Sequence, residues 1–410
     1  MEVHVNKKVL YCMEYKWKLV SLSVSLLSAN AIADNYAIEA RGDGMGGVGV
    51  VAGNFLTGSF YNPAITAIYR RNDDLGMIIP SFGGQFRNED DLVGDLKDIA
   101  SLLDKAIATG PSNEAEIESK LKSLKNSTAS LELGGVVSIA IPNQFVAANL
   151  FGKAYAESFA QIDSYNSATG LTPSAINAEL SGLDAVGIGV TEVGLSLAKY
   201  QTFLGQHISF GITPKLQRLY TYVYRANLNN YEFKDIRDNG AGETMFNFDA
   251  GFLWFYGPVR VGFSALNLVS RDIKSQTLEG TTVVSKIDSS QSRVFNPVSF
   301  DYQMRPQYTV GAGLVGDYAS ISVDYDLREE EKFTNFKDNS RMLRVGGELD
   351  IMRQLKLRAG WNKNLVYDDR EDTITAGIGL SPLNLFQLDL AASYTNKNAM
   401  GAYINFVSHY

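Results

Sequence analysis

The sequence predicts an all-β fold: a transmembrane antiparallel β-barrel of about fourteen strands, with an N-terminal lumenal hatch and helical extracellular loop inserts. Three observations predict this fold. Segments of about ten residues alternate apolar and polar side chains, short turns alternate with long loops, and an export signal precedes them all. The predicted units are therefore a signal peptide over 1–33, a hatch over 34–70 and a barrel over 71–410.

The side chains alternate with a period of two, which is the period of a β-strand. In the stretch 318–327, Ile321 and Val323 share one phase, whereas Ser322 and Asp324 share the other. One face of such a strand suits lipid and the other suits water, and about ten residues suit a tilted crossing of the hydrocarbon core. The pattern predicts strands at 75–87, 131–141, 144–158, 183–199, 206–226, 243–256, 259–270, 303–315, 318–327, 339–351, 354–363, 371–380, 385–395 and 399–410.

The connections between these strands separate a membrane barrel from a soluble sandwich, whose strands would also alternate. Short links at 142–143, 257–258 and 316–317 interleave with long ones at 88–130 and 271–302. Short turns on one side and long loops on the other are typical of outer-membrane barrels. The last strand ends on the aromatic Tyr410, as closing strands of such barrels commonly do.

The N-terminus predicts Sec-type export, with translation starting at Met1 or Met13. Lys16 and Lys18 form a charged region, 19–27 an apolar one, and the small residues that end at Ala33 a cleavage site. The apolar stretch is too short for a membrane helix. An exported chain with two-sided strands is expected in the bacterial outer membrane.

Composition excludes several function classes. The single cysteine, Cys12, precedes the predicted cleavage site, so thiol chemistry and disulfides are not expected in the exported chain. Removing residues 1–33 takes away four basic and two acidic side chains, which moves the formal charge from −8 to −10. This charge argues against direct binding of nucleic acid.

Residues 34–70 precede the first strand and are rich in glycine. Three of the glycines satisfy G-x-G-x-x-G, but no predicted strand precedes them, so dinucleotide binding is not expected. Glycines permit close approach of the backbone, which favours a compact hatch folded inside the barrel over a disordered periplasmic tail. The hatch residues are predicted to include Arg41, Gly42, Gly44, Gly46, Gly47, Asn62, Pro63 and Ala64.

Two loops contain helical sequence, near 90–126 and 172–183. Apolar residues recur on one stripe in each, for example Leu92, Leu96 and Ile99 in the first. We interpret these inserts as helices that cap the outer mouth. They either pack over the rim only or form a lid that binds a partner or ligand.

Charged side chains in the water-facing phase of the strands are expected to line the lumen. Both signs occur in similar number, which favours a salt-bridged ladder along the wall, with a selective polar conduit as the alternative. The candidates are Arg260, Asp324, Arg344, Glu348, Arg358 and Asp389, with Lys215 and Asp249 in the same phase.

A catalytic constellation is not found in this sequence. After the predicted cleavage site only His207 and His409 remain, and no nucleophile, zinc, phosphate-loop or calcium motif is present. No catalytic residue, metal site or cofactor is therefore predicted.

Short motifs near the start of the exported chain resemble those of a known family. The stretches 40–47, 61–64, 73–76 and 79–80, together with the acidic insert 90–96, are similar to the exported conjugal-transfer TraF-type family, the long, barrel-like one. The resemblance spans the exported chain and is strongest in its first hundred residues. It implies a non-enzymatic outer-membrane barrel that acts as a surface or envelope component of conjugative transfer.

A more distant resemblance is to the FadL-type channels for hydrophobic compounds. It rests on the glycine-rich start, the Asn62-Pro63-Ala64 motif and the fourteen strands. It implies a hatch over 34–70 and a gated channel for hydrophobic small molecules, although the helical insert after the first strand departs from that pattern. The expected partners are outer-membrane lipid and either other conjugation or envelope proteins or a hydrophobic small molecule.

Overall fold

The computed structural model describes residues 38–70, 73–88, 90–110, 113–125, 127–166, 172–228, 240–368, 370–382 and 386–409. The predicted signal peptide, Cys12 and the first residues of the predicted hatch lie outside the described residues.

The described residues form a closed barrel of fourteen antiparallel strands, which confirms the predicted fold class. The strands that form it are β1 (Gly76–Arg87), β2 (Thr128–Ile141), β3 (Ala147–Asp163), β4 (Gly182–Phe203), β5 (Gln206–Asn227), β6 (Gly240–Tyr256), β7 (Val259–Leu266), β12 (Gln307–Val315), β13 (Ala319–Asp326), β14 (Met342–Ile351), β15 (Leu355–Asn364), β16 (Thr373–Leu380), β17 (Phe386–Asn396) and β18 (Ala399–His409). Each strand pairs with its neighbours along the chain, and β1 pairs with β18 to close the barrel.

Four short strands lie in the long connection between β7 and β12. They are β8 (Arg271–Ile273), β9 (Thr281–Val284), β10 (Ser292–Phe295) and β11 (Tyr302–Met304), paired as β8 with β11 and β9 with β10. The strand predicted over 303–315 is therefore split, and its barrel part begins at Gln307. Pro306 precedes that residue, and proline has no N–H to donate to a strand ladder.

The barrel wall has two distinct faces, as the alternation predicts. On β13, Ile321 is 55% exposed and Ser322 is 1% exposed; on β15, Leu357 is 41% exposed and Arg358 is 4% exposed. Because neighbouring residues of a strand point to opposite faces, the apolar phase faces outward and the polar phase inward.

The wall is taller on one side. Strands β4 and β5 have 22 residues each, whereas β13 and β16 have 8. The extra length of the tall wall lies partly at the end of the barrel that carries the long connections, which we call the loop end. The opposite end, with the short links, is called the turn end.

The helices of the long connections are α3 (Leu92–Thr109), α4 (Glu114–Leu124) and α5 (Ser174–Glu179). Their apolar side chains cluster with Ala129, Ile162 and Leu183, which belong to the outward-facing phases of β2, β3 and β4. These three residues lie at the loop end of their strands, so the helices pack over the rim of the tall wall, and a lid function for them stays a prediction. An amphipathic helix needs an apolar surface to cover, and the outer face of the tall wall supplies one beside the mouth.

Candidate functional site: the lumen and its inner segment

Residues 38–70, here called the inner segment, lie in the interior of the barrel. They contain the helical turns α1 (Ala40–Asp43) and α2 (Gly58–Tyr61) and a 3-10 turn at Pro63–Ala67. Inward-facing side chains from separate parts of the wall donate hydrogen bonds to their carbonyls. Ser81 Oγ donates to Ile38 O (2.8 Å), Asn149 Nδ2 to Leu56 O (2.9 Å) and Ser209 Oγ to Ala64 O (2.7 Å).

Glycines of both partners let the inner segment touch the wall at β14–β16. Gly346 and Gly360 face each other across β14 and β15, and a Cβ atom on either would overlap the main chain at Met45. A Cβ on Gly377 of β16 would lie 3.2 Å from the Cα of Gly44. The backbone of the segment therefore lies directly against the backbone of the wall, which only residues without a side chain permit.

A second group of wall glycines receives the Asn62-Pro63-Ala64 motif. A Cβ on Gly211 would overlap Pro63, and one on Gly251 would overlap the Asn62 side chain. Asn62 is fully buried; its Nδ2 donates to Val50 O (2.9 Å) and to Phe252 O of β6 (3.1 Å), and its Oδ1 accepts from Ala64 N (3.1 Å). Asn62 thus ties the 3-10 turn both to the segment and to the wall.

The remaining predicted hatch glycines serve the fold of the segment itself. Gly42 packs against the Tyr61 ring and accommodates no Cβ. Gly46 and Gly47 have φ of +73° and +85°, which L side chains rarely adopt. Gly46 N also donates to Thr375 Oγ1 of β16 (2.8 Å).

Asp324 of β13 holds the centre of the inner segment. Its Oδ2 accepts hydrogen bonds from two successive backbone amides, Gly49 N (2.7 Å) and Val50 N (2.9 Å). Adjacent N–H groups that converge on one anion form a compact anion site. The Asp324 carboxylate of the wall therefore occupies an anion site that the Gly49 and Val50 amides of the inner segment form.

Arg41 connects the inner segment to a chain of ion pairs on the wall. Its Nη2 lies 3.1 Å from Glu348 of β14, whose other oxygen lies 2.6 Å from Arg358 Nε of β15. Arg358 Nη1 in turn lies 2.7 Å from Asp389 of β17. Three strands and the segment therefore share one charge network, which is a salt-bridged ladder of the kind weighed from the sequence.

The other two lumen candidates lie beside the same segment. Arg260 Nη1 donates to Val51 O (3.1 Å). Arg344 Nη1 pairs with Asp326 (2.8 Å), and its Cδ would lie 3.2 Å from a Cβ on Gly47. A separate buried pair joins Lys215 to Asp249 (2.9 Å) nearer the loop end.

Sequence reasoning missed two residues that position α1. Glu39 accepts from Gly42 N and from Asn405 Nδ2 (3.0 Å), and Asn405 Oδ1 accepts from Ala40 N (2.7 Å). Asn405 lies in the inward phase of the last strand, a polar residue among apolar outward neighbours. That phase was a usable signal, but nothing in the sequence pairs Asn405 with residues 365 positions earlier.

At the loop end the lumen is filled by apolar side chains. We call this group the mouth cluster: it joins inward residues of the tall wall to residues of the connections 267–306 and 327–341, and it continues down to Ile38 of the inner segment. Its wall members include Tyr155, Val186, Ile188, Val190, Leu219 and Val223, and its loop members are Ile273, Phe300, Tyr302, Met304, Phe333 and Phe336.

Asp338 lies in the connection 327–341 and is buried. Its Oδ2 accepts from Phe333 N (2.8 Å). Burial raises the pKa of Asp338 to about 7 from its ordinary 3.8, against the lowering effect of Lys332 and with a small raising effect of Glu331. The carboxyl is therefore protonated more readily than an exposed one.

Raising the pH from about 4 to about 7 is expected to weaken the packing of the 327–341 connection. Since the fold raises the pKa of Asp338, this group contributes fully below pH 3.8, and its contribution falls as the pH approaches about 7. The loss is at most about 1.4 kcal/mol per pH unit. Hydrogen exchange at the Phe333 amide, corrected for the intrinsic rate, measures it. Asp338→Asn should remove this dependence of exchange on pH. If the exchange rates of the wild type and of Asp338→Asn changed with pH in parallel, the prediction would be contradicted.

A small cavity lies in the lumen below the mouth cluster. A cavity of about 10 Å³, lined among others by Lys153, Glu192 and Gln217, separates the mouth cluster from the buried ion pairs. It is about the size that one water molecule needs. In the part of the chain that the structure describes, no group of histidine, cysteine and acidic residues is arranged to hold a metal ion.

Over the described ranges, no helix is both long and apolar enough to cross a membrane.

Solved structures with a similar fold include a toluene transporter, a monoaromatic hydrocarbon channel and a FadL homologue. The toluene transporter TbuX of Ralstonia pickettii has a TM-score of 0.51 at 11% identity, over 92% of this chain and 100% of its own. The TodX deltaS2S3 mutant, a monoaromatic hydrocarbon channel, has a TM-score of 0.52 at 11% identity, over 91% and 98%. A FadL homologue of Pseudomonas aeruginosa has a TM-score of 0.50 at 10% identity, over 93% and 99%.

These identities show a shared fold and no more. No curated protein matches the sequence. A family match is found, however, over residues 59–326, with the family described as "F plasmid transfer operon, TraF, protein". That match covers more than half of the chain. The chain therefore belongs to this TraF family, and its barrel has the fold of the FadL-type channels.

Proposed function

We propose that this protein is a non-enzymatic barrel of the bacterial outer membrane that acts as an envelope component of conjugative transfer. Its lumen is closed by the inner segment, which serves as a plug. Family membership supports the link to transfer, and one structural observation supports the closed state: the segment packs against glycines on two separate parts of the wall, backbone to backbone at β14–β16.

The outer surface supports residence in a membrane. Exposed side chains on the wall are large and apolar, for example Phe210 and Ile212 on β5 and Phe246 on β6. Trp254 and Tyr256 follow near the turn end of β6, where the aromatic girdle of an outer-membrane barrel is expected. Export with cleavage near Ala33 remains part of this proposal.

The role in transfer is tested by deleting the gene in a donor strain and measuring conjugation frequency. We expect a fall in transfer that the wild-type gene restores. The control is a recipient strain carrying the same deletion, which should receive DNA normally. An unchanged donor frequency would count against the envelope role and would leave the fold untouched.

A gated channel for hydrophobic small molecules is the second candidate. The mouth cluster favours it, because apolar residues run from the loop end of the lumen down to Ile38 of the inner segment. The similar structures named as hydrocarbon or toluene channels lend it support. In this reading the inner segment is a hatch that must shift for passage.

A disulfide between Gly44→Cys and Ala391→Cys tests whether the inner segment moves. A Cβ on Gly44 would lie 3.2 Å from the Ala391 Cβ, close to the spacing of about 3.5–4.5 Å that a disulfide requires. Toluene uptake should be blocked in the oxidised variant and restored by reduction. The single variants are controls. Equal uptake in both redox states would contradict a mobile hatch.

Deletion of residues 34–61, with the signal retained, tests closure itself. The segment fills the lumen at the level of Asp324 and Asn62, so its removal is expected to raise conductance in planar bilayers strongly. An unchanged conductance would mean that the mouth cluster closes the lumen without the segment, and it would count against the plug.

A further inference from the structure

The connection 327–341, here called the lid, lies across the loop end of the lumen. It is rooted on β13 and β14 and reaches β3, which is six strands away from β13 around the fourteen-stranded barrel. That separation is almost the full width of the lumen. A loop that contacts both sides covers the opening between them.

Phe333 is the central contact of the lid. It is fully buried, and its ring lies 6.3 Å from Phe159 of β3 and 5.4 Å from Tyr302 of β11, centroid to centroid. It belongs to the mouth cluster together with Val186, Ile188 and other inward residues of the tall wall. An aromatic side chain of the protein thus occupies apolar wall surface inside the lumen.

A buried ion pair fixes the lid to the far wall. Lys332 Nζ lies 2.6 Å and 2.8 Å from the two oxygens of Glu157 on β3, and the two side chains are 6% and 3% exposed. Removing one partner of such a pair leaves a buried charge without compensation, whereas replacing both by apolar groups is often neutral. This pair therefore controls the closed position much more strongly than an exposed one can.

Backbone contacts also hold the lid, and one of them reaches β3: Lys337 N donates to Gln161 Oε1 (3.3 Å). Gln303 N donates to Lys332 O (2.7 Å), and Thr334 N donates to Asp301 O (3.0 Å). Both partners belong to the 267–306 connection, itself a loop. The ion pair is thus a buried polar link between the Phe333 region and β3, beside the longer and exposed contact at Lys337.

We infer that the lid is an autoinhibitory cover of an apolar binding site, with Phe333 as its internal occupant and the Lys332–Glu157 pair as its catch. Release of the catch withdraws Phe333 and exposes the inward apolar face of β3–β5 to an uncharged molecule of aromatic size. The identity of the ligand rests on the channel function proposed above, whereas the cover and its catch rest on the contacts alone.

The position of the lid is measured by the distance between two spin labels, at Lys337→Cys in the lid and Lys122→Cys on α4, in a chain that also carries Cys12→Ser so that no third site is labelled. We expect Glu157→Gln and Lys332→Met each to raise the ratio of open to closed populations at least tenfold. The double variant Glu157→Leu with Lys332→Met leaves neither charge of the pair and, measured at pH 5, where the Asp338 carboxyl (pKa about 7) is protonated, should return to the closed distance.

The control is Lys274→Met, which breaks an exposed pair with Asp301 in the neighbouring connection and should leave the distance unchanged. Lys332 lies in a loop, so its substitution leaves the barrel strands intact, and the double variant covers the case in which Glu157→Gln does not fold. The proposal that the lid is a cover would be overturned if the single variants kept the spin-label distance of the wild type. It would also be overturned if the double variant showed the same open distance as the single variants.

The ligand is probed separately with N-phenyl-1-naphthylamine, whose fluorescence rises in apolar surroundings. Saturable binding is expected in Lys332→Met and in Phe333→Ala, and much weaker binding in the wild type and in Lys274→Met. An open lid without binding would overturn the apolar site, and with it the channel function, but not the catch.

Discussion

Gly360→Ala is expected to prevent the inner segment from seating in the barrel. A Cβ atom at this position would overlap main-chain atoms of Met45 and Gly46, which have no flexible end that could move aside. Overpacking of a well-packed interior costs about 1–3 kcal/mol, and a main-chain overlap lies at the upper end of that range or beyond. The folded fraction, read by migration of unboiled protein on a gel, should fall, or protease should cut the exposed segment.

The matched control for this substitution is Gly152→Ala on β3. It makes the same chemical change on a barrel strand, but the new methyl would lie 3.3 Å from the Val137 side chain on the outward face, which can adjust. Gly152→Ala should therefore fold and resist protease as the wild type does. If Gly360→Ala and Gly152→Ala had the same folded fraction and the same resistance to protease, the inner segment would not pack against Gly360.

Ile321→Arg is expected to impair folding into lipid strongly. Ile321 is the third of the eight residues of β13 and faces outward, where an arginine costs about 2–4 kcal/mol at the bilayer midplane of a barrel and less towards the interfaces. Urea titration of folding in lipid vesicles measures this loss. In water the same substitution on an exposed face would cost almost nothing.

Val294→Arg separates these two environments. Val294 is 64% exposed, comparable to the 55% of Ile321, but it lies on β10 in the connection outside the barrel. It should tolerate arginine. If both variants fold equally well in vesicles, the outward face of β13 does not meet hydrocarbon. Ser322→Arg is unsuitable as a control, because Ser322 is buried against the interior.

The strands were predictable because two solvents impose a pattern on every residue of the wall. Ile321 faces outward and Ser322 faces the interior, so the two neighbours need side chains of different polarity. This requirement can be recognised from adjacent positions of the sequence. The glycines Gly44 and Gly46 likewise indicated close packing of the backbone. Their counterparts Gly346 and Gly360 could not be assigned, because that pairing depends on how strands far along the chain are placed in three dimensions.

The connections were less predictable. The apolar stripe of α3 indicated a helix, but it did not show which surface of the barrel that helix packs against. Phe333 and Phe336 lie in a loop whose other residues are mostly charged or polar, and a loop has no period from which a facing direction can be read. At the loop end β3 was predicted to end at 158 but extends to Asp163, and strand boundaries are the least certain quantity in a sequence pattern.

The buried contacts of α1 impose an order on assembly. Ala40 bonds to Asn405 across 365 residues, so the part of the chain that is synthesised first completes its contacts only when the last strand is in place. Contacts of such separation form late and slow folding. The residues of α1 can therefore complete their contacts with the wall only after β18 has paired with β1. Assembly of this barrel therefore requires the seam between β1 and β18 to stay open until α1 lies inside the lumen.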